Sequence, residues 1–346
     1  MIYNKILYPI LSKLPPEIAH SFALFLISKL PFFILLKNIL MLRFIKAKQI
    51  ATSNVFCGKQ IRNTLGIAAG FDKNGIAISG LFALGFGFVE IGTVTPNPQS
   101  GNPSPRIFRY GKFESIINKM GFPSDGADAV LQRLLKFNKT KKDWQVVGVN
   151  IGKNHNGTEQ DYATLIRIFH QHCDYIAINI SSPNTQGLRD FMLPQNINNF
   201  LSFIKTTKEI LNVQIPLLIK ISPDLTRDEL EILYLAARLH ELDGIIASNT
   251  TISRPNSIGF GVAGGLSGKL MSQISFQTLQ TLNQIHATYT SQHKEIKEFT
   301  IISSGGISSA EDASSRYASG ANLIQIYTSL VYQGPSVISE LLAPRI

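Results

Sequence analysis

Cysteine and tryptophan are nearly missing from this chain, which has only Cys57, Cys173 and a single tryptophan in 346 residues. Two cysteines so far apart fit no metal or redox spacing, so a reducing compartment is the natural setting. His170 and His172 are two apart, which puts them on different helix faces and argues against a metal pair. No zinc pattern, Walker motif or GxGxxG at a strand–helix junction occurs. Charge is sparse at 16% of residues, and although the formal net charge is +10, the bases are scattered without interleaved aromatics. That argues against a nucleic-acid partner. Acids are scarcest at the start, where residues 1–50 hold only Glu17 against seven bases. An unbroken apolar run of the ~20 residues that span a bilayer is also lacking, because Lys29 and Pro31 interrupt the candidate stretch.

What the first residues do have is apolar surface, from Phe22 to Ile27 and again from Phe32 to Leu36. The pattern predicts two or three short amphipathic helices over residues 1–46, broken at Pro9, Pro15-Pro16 and Pro31. No small-residue cleavage site follows, so the segment does not read as a signal peptide. A basic, apolar helical segment suits a membrane interface, where anionic lipid attracts the lysines and the apolar face buries among headgroups. The alternative is a helical cap packed on the main domain. Residues 47–346 form that domain.

From residue 60 a regular alternation begins. Apolar, β-rich runs fall at Leu65–Ala69, Phe88–Ile91, Val146–Asn150, Ile176–Ile180, Leu217–Ile221, Gly244–Ala247, Thr300–Ser303 and Asn322–Ile326, most of them separated by stretches of helical spacing. Eight strand candidates alternating with helices predict an α/β fold, an eight-stranded (β/α)8 TIM barrel with the N-terminal helical extension. The polar interval from Thr93 to about Gly126 is long enough to fold over the barrel mouth. Nearly every strand candidate ends in something chemical: Asp72-Lys73, Thr93, Asn150, Asn179 to Asn184, Lys220, Ser248 to Thr250, Gly305-Gly306, Tyr327-Thr328. In a closed barrel these ends share one face, the face where such enzymes work.

The stretch YIAINISSPNTQG (175–187) is the centre of that pattern. A buried strand interrupted by Asn179 must give the amide partners, and the loop after it supplies Ser181, Ser182, Asn184 and Thr185. Ser304-Gly305-Gly306 and Tyr327-Thr328 lie where barrels bind phosphate, and Gly264 to Gly268 reads as a third glycine-rich loop of that kind. Lys220 follows three apolar residues, so its stem is buried. It could hold negative charge on a cofactor or form a Schiff base with a phosphorylated carbonyl substrate, the reading of a lyase. Asp72 is the only acid at a strand end, which leaves Ser182 as the main group to move a proton, from a carbon acidified by a neighbouring carbonyl. Asn118, Asn179, Asn184 and Asn249 offer paired donors and acceptors, suited to a planar ring with alternating N–H and C=O edges.

AAGFDKNG (68–75), EIGTVTPNPQSGNPSPRIFR (90–109), INKMGF (117–122), NIGKN (150–154), AINISSPNTQGLR (177–189), KISPDL (220–225), SNTT (248–251), GGLSG (264–268) and SSGGI (303–307) together resemble dihydroorotate dehydrogenase. Serine at position 182 and the PEIAHSF segment (16–22) resemble the membrane-associated, quinone-dependent class 2 enzymes. The resemblance implies FMN held by Ala69, Gly70, Phe71, Asp72, Lys73, Thr93, Asn150, Asn179, Lys220, Ser248, Gly268, Gly306, Tyr327 and Thr328. It implies dihydroorotate, the precursor of orotate in pyrimidine synthesis, held by Lys73, Asn118, Lys119, Met120, Gly121, Phe122, Asn179, Asn184, Asn249 and Thr250, with Ser182 as base. It further implies ubiquinone or menaquinone admitted past His20, Arg109 and Tyr327, no metal, and a monomer placed peripherally on the cytoplasmic face of the inner membrane. Lys119 stands where the family usually has arginine and Ser248 where threonine is common; both departures are mild.

Overall fold

The computed structural model describes residues 3–39, 54–254, 261–293 and 297–343. A π-helical turn, Tyr3–Leu7, winds directly into helix α1 (Tyr8–Lys13), so the chain stays helical through Pro9, where a break was expected. The chain then breaks at Pro15, and α2 (Pro16–Ile39) runs for 24 residues. The break expected at Pro31 does not occur: α2 passes straight through it. Proline there leaves the Ile27 carbonyl without its helical donor. That oxygen lies over Gly80 of helix α3 (Ile78–Leu84), so close that a Cβ on Gly80 would meet it at 1.9 Å. Packing against a glycine thus occupies the face that the proline leaves open. Because the helix is continuous, Pro16–Ile34 is by length and composition sufficient to cross a membrane, contrary to the interruption read from Lys29 and Pro31. Ala19 and Leu24 are buried, while Ile18, Phe22, Phe25, Phe32 and Phe33 are exposed. The boundary between residues 46 and 47 lies outside the described residues.

A hairpin, β1 (Val55–Phe56) and β2 (Lys59–Gln60), precedes the barrel. Strands β3 (Leu65–Ile67) and β4 (Phe88–Val94) open it. The excursion follows as expected, and contains β5 (Ile107–Tyr110) and β6 (Ser115–Asn118). The barrel continues through α4 (Ala127–Asn138), β7 (Val146–Ile151), α5 (Gln160–Phe169), β8 (Tyr175–Asn179), α6 (Pro194–Ile210), β9 (Leu217–Ile221), α7 (Arg227–Leu239) and β10 (Gly244–Ala247). Strand β11 (Gly265–Gly268) leaves it, and α8 (Ser272–Gln292), β12 (Thr300–Ser304), α9 (Ala310–Ala318) and β13 (Leu323–Ile326) close it, followed by α10 (Thr328–Gln333) and α11 (Ser336–Leu341). Eight parallel strands form the closed barrel, so the (β/α)8 expectation holds. One reading is corrected: Gly264 to Gly268 is not a loop, because β11 pairs antiparallel with β6 and completes a three-stranded sheet with β5 over the mouth, although its last residue, Gly268, still lines the cavity.

Alternate residues of a strand share a face, and the barrel interior is layered accordingly. Phe88, Val146, Tyr175, Leu218, Ile246, Ile302 and Leu323 form one apolar layer, which Phe56 and Ile61 plug from below. Two residues further along, five of these strands turn polar, at Glu90, Lys220, Ser248, Ser304 and Gln325, while the other two carry the small Gly148 and Ala177. Room for the large rings comes from small neighbours: a Cβ on Gly66 would collide with Phe88, and one on Gly148 with Tyr175. The outer face of the strands packs on the helices in the larger core. Capping boxes at Thr226/Glu229 and Ser309/Asp312 start α7 and α9, each worth about 1 kcal/mol.

Candidate active site

A cavity of about 820 Å³ lies between the C-terminal ends of the barrel strands and helices α1 and α2. Ala69, Gly70, Phe71, Lys73, Thr93, Asn179, Ser182, Lys220, Ser248, Asn249 and Thr250 line it from the barrel strand ends. Asn118, Met120, Gly121, Phe122, Asn184 and Gly268 line it from the covering loops, and Gly306, Tyr327 and Thr328 from the last two strand ends. His20 and Arg109 lie on the side of the N-terminal helices. Residues spread over most of the chain therefore meet at one mouth. Asp72, Asn150 and Lys119 are not among the lining residues. The Asp72 carboxylate accepts from the Ile76 and Ala77 amides and so holds the turn into α3, and the base that its strand-end position offered does not face the cavity. Asn150 sits behind the wall, and the Lys119 ammonium lies over the Phe108 ring, 5.7 Å from its centre.

The amides form one network. The Asn150 Oδ1 accepts from Thr93 Oγ1 at 2.6 Å and from Asn179 Nδ2 at 3.1 Å, which orients both groups toward the cavity wall. Asn249 Nδ2 donates to Asn179 Oδ1 and to Ser181 Oγ, and Asn184 Nδ2 donates to Asn118 Oδ1 at 3.1 Å. Ser182 is nearly buried, and its Oγ accepts from the Asn184 amide at 3.3 Å. Arg189 ties this loop down: its Nε donates to the Ser181 carbonyl and its Nη1 to Asp224 at 3.0 Å. Gln99, inside the excursion, donates to the Gly121 and Phe122 carbonyls and so fixes the segment that carries Asn118 to Phe122.

Cations set the electrostatics. Lys73 Nζ donates to the Gly70 carbonyl at 2.9 Å, and burial, together with nearby Arg106, lowers its pKa to about 8. Lys220 is paired with Glu90 at 3.5 Å, both side chains being withdrawn from solvent. A Schiff-base lysine has to lose its proton, usually through desolvation or a neighbouring cation, and a carboxylate partner works against that; the lyase reading loses its support here. Glu90 was not singled out from sequence, although an acid within the wholly buried FVEIGTV strand is the signal that marks it. Gln325, likewise overlooked as an individual residue, is fully buried, lines the cavity and has an Oε1 without a partner among the described residues.

Gly305 and Gly306 both have positive φ, and a Cβ on Gly306 would come within 2.3 Å of Ser272 Cα. A Cβ on Gly268 would meet the Glu114 carbonyl at 2.3 Å, and Thr328 Oγ1 donates to Ser267 Oγ. Only glycine fits these places, and with no side chain there the backbone itself forms this part of the cavity wall, as suits a phosphate. Beneath them Arg316, almost wholly buried, donates to the Gly305 carbonyl at 3.1 Å and to Ser275 Oγ at 2.9 Å. On the opposite side His20 Nε2 lies 2.7 Å from the Phe71 carbonyl, to which it donates, and the ring stacks parallel to Tyr327, with burial pulling its pKa down to about 4. The Arg109 guanidinium donates to the Leu11 and Ser12 carbonyls, where the end of α1 leaves acceptors unpaired.

The dihydroorotate dehydrogenase family profile matches residues 51–343. The dihydroorotate dehydrogenase (quinone) of a Nitratiruptor species is 43% identical over 337 residues, covering 96% of this chain and 91% of that protein. The mitochondrial dihydroorotate dehydrogenase (quinone) of Mus musculus is 39% identical, covering 98% of this chain and 84% of that one. Among solved structures, DHODH from Eimeria tenella in complex with ferulenol superposes with a TM-score of 0.82 at 34% identity, over 94% of this chain and 89% of that one. With the layered barrel, the amide-lined mouth and these relatives in hand, the chain belongs to the dihydroorotate dehydrogenase family, flavoprotein oxidoreductases that oxidise dihydroorotate in pyrimidine biosynthesis.

Proposed function

We propose that the protein passes electrons from dihydroorotate through FMN to a membrane quinone, with Ser182 as the catalytic base. The observation that carries this reading is the single cavity in which Ser182, Lys73, Lys220, the amide network and the glycine cradle meet the N-terminal helices. The residues fit the cofactor: Gly268, Gly305 and Gly306, all at positive φ, bring bare backbone to the cavity wall, and Gln325 has an orphaned acceptor there. FMN, when bound, supplies the hydride acceptor. Gly268, Gly306 and Thr328 would hold its phosphate, and Ala69, Gly70, Thr93, Asn179, Lys220 and Ser248 its ring.

Dihydroorotate carries a carboxylate and a ring of amide edges. Lys73 meets the carboxylate, and Asn118, Asn179, Asn184 and Asn249 match the ring edges and exclude water from them. Ser182 Oγ takes the proton from the ring carbon beside the carbonyl while its own hydroxyl proton passes to an acceptor beyond it. A serine is a weak base, so it depends on that relay as well as on the acidity of the carbon. The apolar approach past α2 suits ubiquinone or menaquinone, with His20, Arg109 and Tyr327 at its inner end. The same helix would hold the protein peripherally on the cytoplasmic face of the inner membrane, as a monomer against anionic lipid.

The test is stopped-flow spectroscopy. Purified protein should be yellow, bleach on adding dihydroorotate, and recover colour with a quinone analogue. Ser182→Ala should keep FMN and lower the bleaching rate by about two to four orders of magnitude; near-normal bleaching would remove Ser182 from the mechanism.

A further inference from the structure

Glu90 is a fully buried acid inside the barrel. Its strand is buried along its whole length, and four hydrogen-bond donors converge on the one carboxylate. Asn150 Nδ2 donates to Oε1 at 2.9 Å; Tyr175 OH and Gln325 Nε2 donate to Oε2 at 3.0 and 2.7 Å; the Lys220 ammonium is 3.5 Å from Oε1. The Tyr175 hydroxyl keeps its proton and donates it to this carboxylate, since burial and the adjacent acid hold its phenol well above the ordinary range. Among the described residues, Glu90 is the one acid paired with Lys220. Two of the four donors, Lys220 and Gln325, also line the cavity.

A charge buried in a low-dielectric interior acts over a long range unless another offsets it. Alone, the Lys220 ammonium would present a full positive charge to the cavity floor and hold negative charge there strongly. With Glu90 behind it the pair is a dipole, positive end toward the cavity, whose field weakens faster with distance. An oxidoreductase that accepts electrons from one substrate and gives them to another needs such moderation, because a flavin held too firmly in its reduced form is slow to be reoxidised.

We propose that Glu90 is a positioning residue that holds Lys220 under the flavin and sets the flavin's reduction potential by offsetting part of the lysine's charge. This rests on the FMN reading above. The test is redox titration of the flavin-loaded full-length protein and four variants. Glu90→Gln should shift the midpoint to a more positive potential by about 30 mV or more, the equivalent of a tenfold change for a two-electron couple. The substitution can be accommodated, since a reversed Gln325 amide would turn its unpartnered Oε1 toward the new NH2. In stopped flow the same variant should slow reoxidation by a quinone analogue while bleaching by dihydroorotate is not slowed. Tyr175→Phe removes one hydrogen bond but keeps the charge, and should leave the midpoint in place. An unchanged midpoint in Glu90→Gln overturns the proposal, and so does an equal shift in Tyr175→Phe, which would make Glu90 a structural prop. If Glu90→Gln does not retain flavin, Glu90→Asp decides. Its withdrawn carboxylate should give a smaller shift of the same sign, and no shift overturns the proposal. Lys220→Met separates the two readings. Its midpoint should become more negative; if it does not, the placement of Lys220 beside the flavin has failed, whereas a shift there with none in Glu90→Gln defeats the Glu90 proposal alone.

Discussion

Lys73 is the residue whose chemistry depends most on its surroundings. Burial first, then the positive charge of Arg106, bring its ammonium down to about 8, so it is charged at neutral pH and loses the charge as pH rises through that value. If it meets the substrate carboxylate, KM for dihydroorotate should climb above pH 8 while the plateau bleaching rate holds, and Lys73→Arg, with its higher pKa, should flatten the climb. A pH-independent KM would assign carboxylate binding elsewhere. At this scale most of the chemistry was legible, because lysines, amides and a serine at the ends of apolar strands stand out against their neighbours. Asp72 and Asn150 show the limit. Both occur at strand ends in sequence, yet one ties down the turn into α3 and the other orients Thr93 and Asn179 from behind. Sequence position gives the end of the strand but not whether a polar side chain there reaches the cavity or lies one layer beneath it.

At the scale of elements, the N-terminal helices depend on small residues of the barrel as much as on their own composition. The Ile27 carbonyl of α2 sits where a Cβ on Gly80 would be. Gly80→Ala should therefore push α2 away from α3 at a cost of about 1–3 kcal/mol, the usual penalty of overpacking. Hydrogen exchange across residues 16–34 should rise while the barrel strands keep their protection; unchanged exchange would show that the helix is held by other contacts. The eight strands were readable because parallel barrel strands are short β-branched runs flanked by helical spacing. The unbroken α2 was not, since proline inside a helix is tolerated only where tertiary packing compensates, and its partner glycine lies far along the chain. Strand β11 was misread as a loop for a related reason: its glycines suggest phosphate binding, whereas pairing with β6 is a contact between stretches remote in sequence.

On the scale of the whole molecule, the N-terminal helices and the barrel line one cavity. Glu17 in the first turn of α2 pairs with Arg106 of the excursion at 2.8 Å, and Arg109 holds the end of α1. Removing residues 1–46 should weaken vesicle binding and quinone turnover far more than flavin bleaching by dihydroorotate; equal loss of both would make the segment an integral part of the fold. The roof over the mouth draws on two unrelated portions of the chain, β5 and β6 from one crossover and β11 from another. Neither portion can be excised as a detachable insertion, because taking out one exposes the hydrogen-bonding edge of the other. Relatives and engineered versions are therefore free to vary the hairpin tips of this cover, but its presence and its stitching are inherited together.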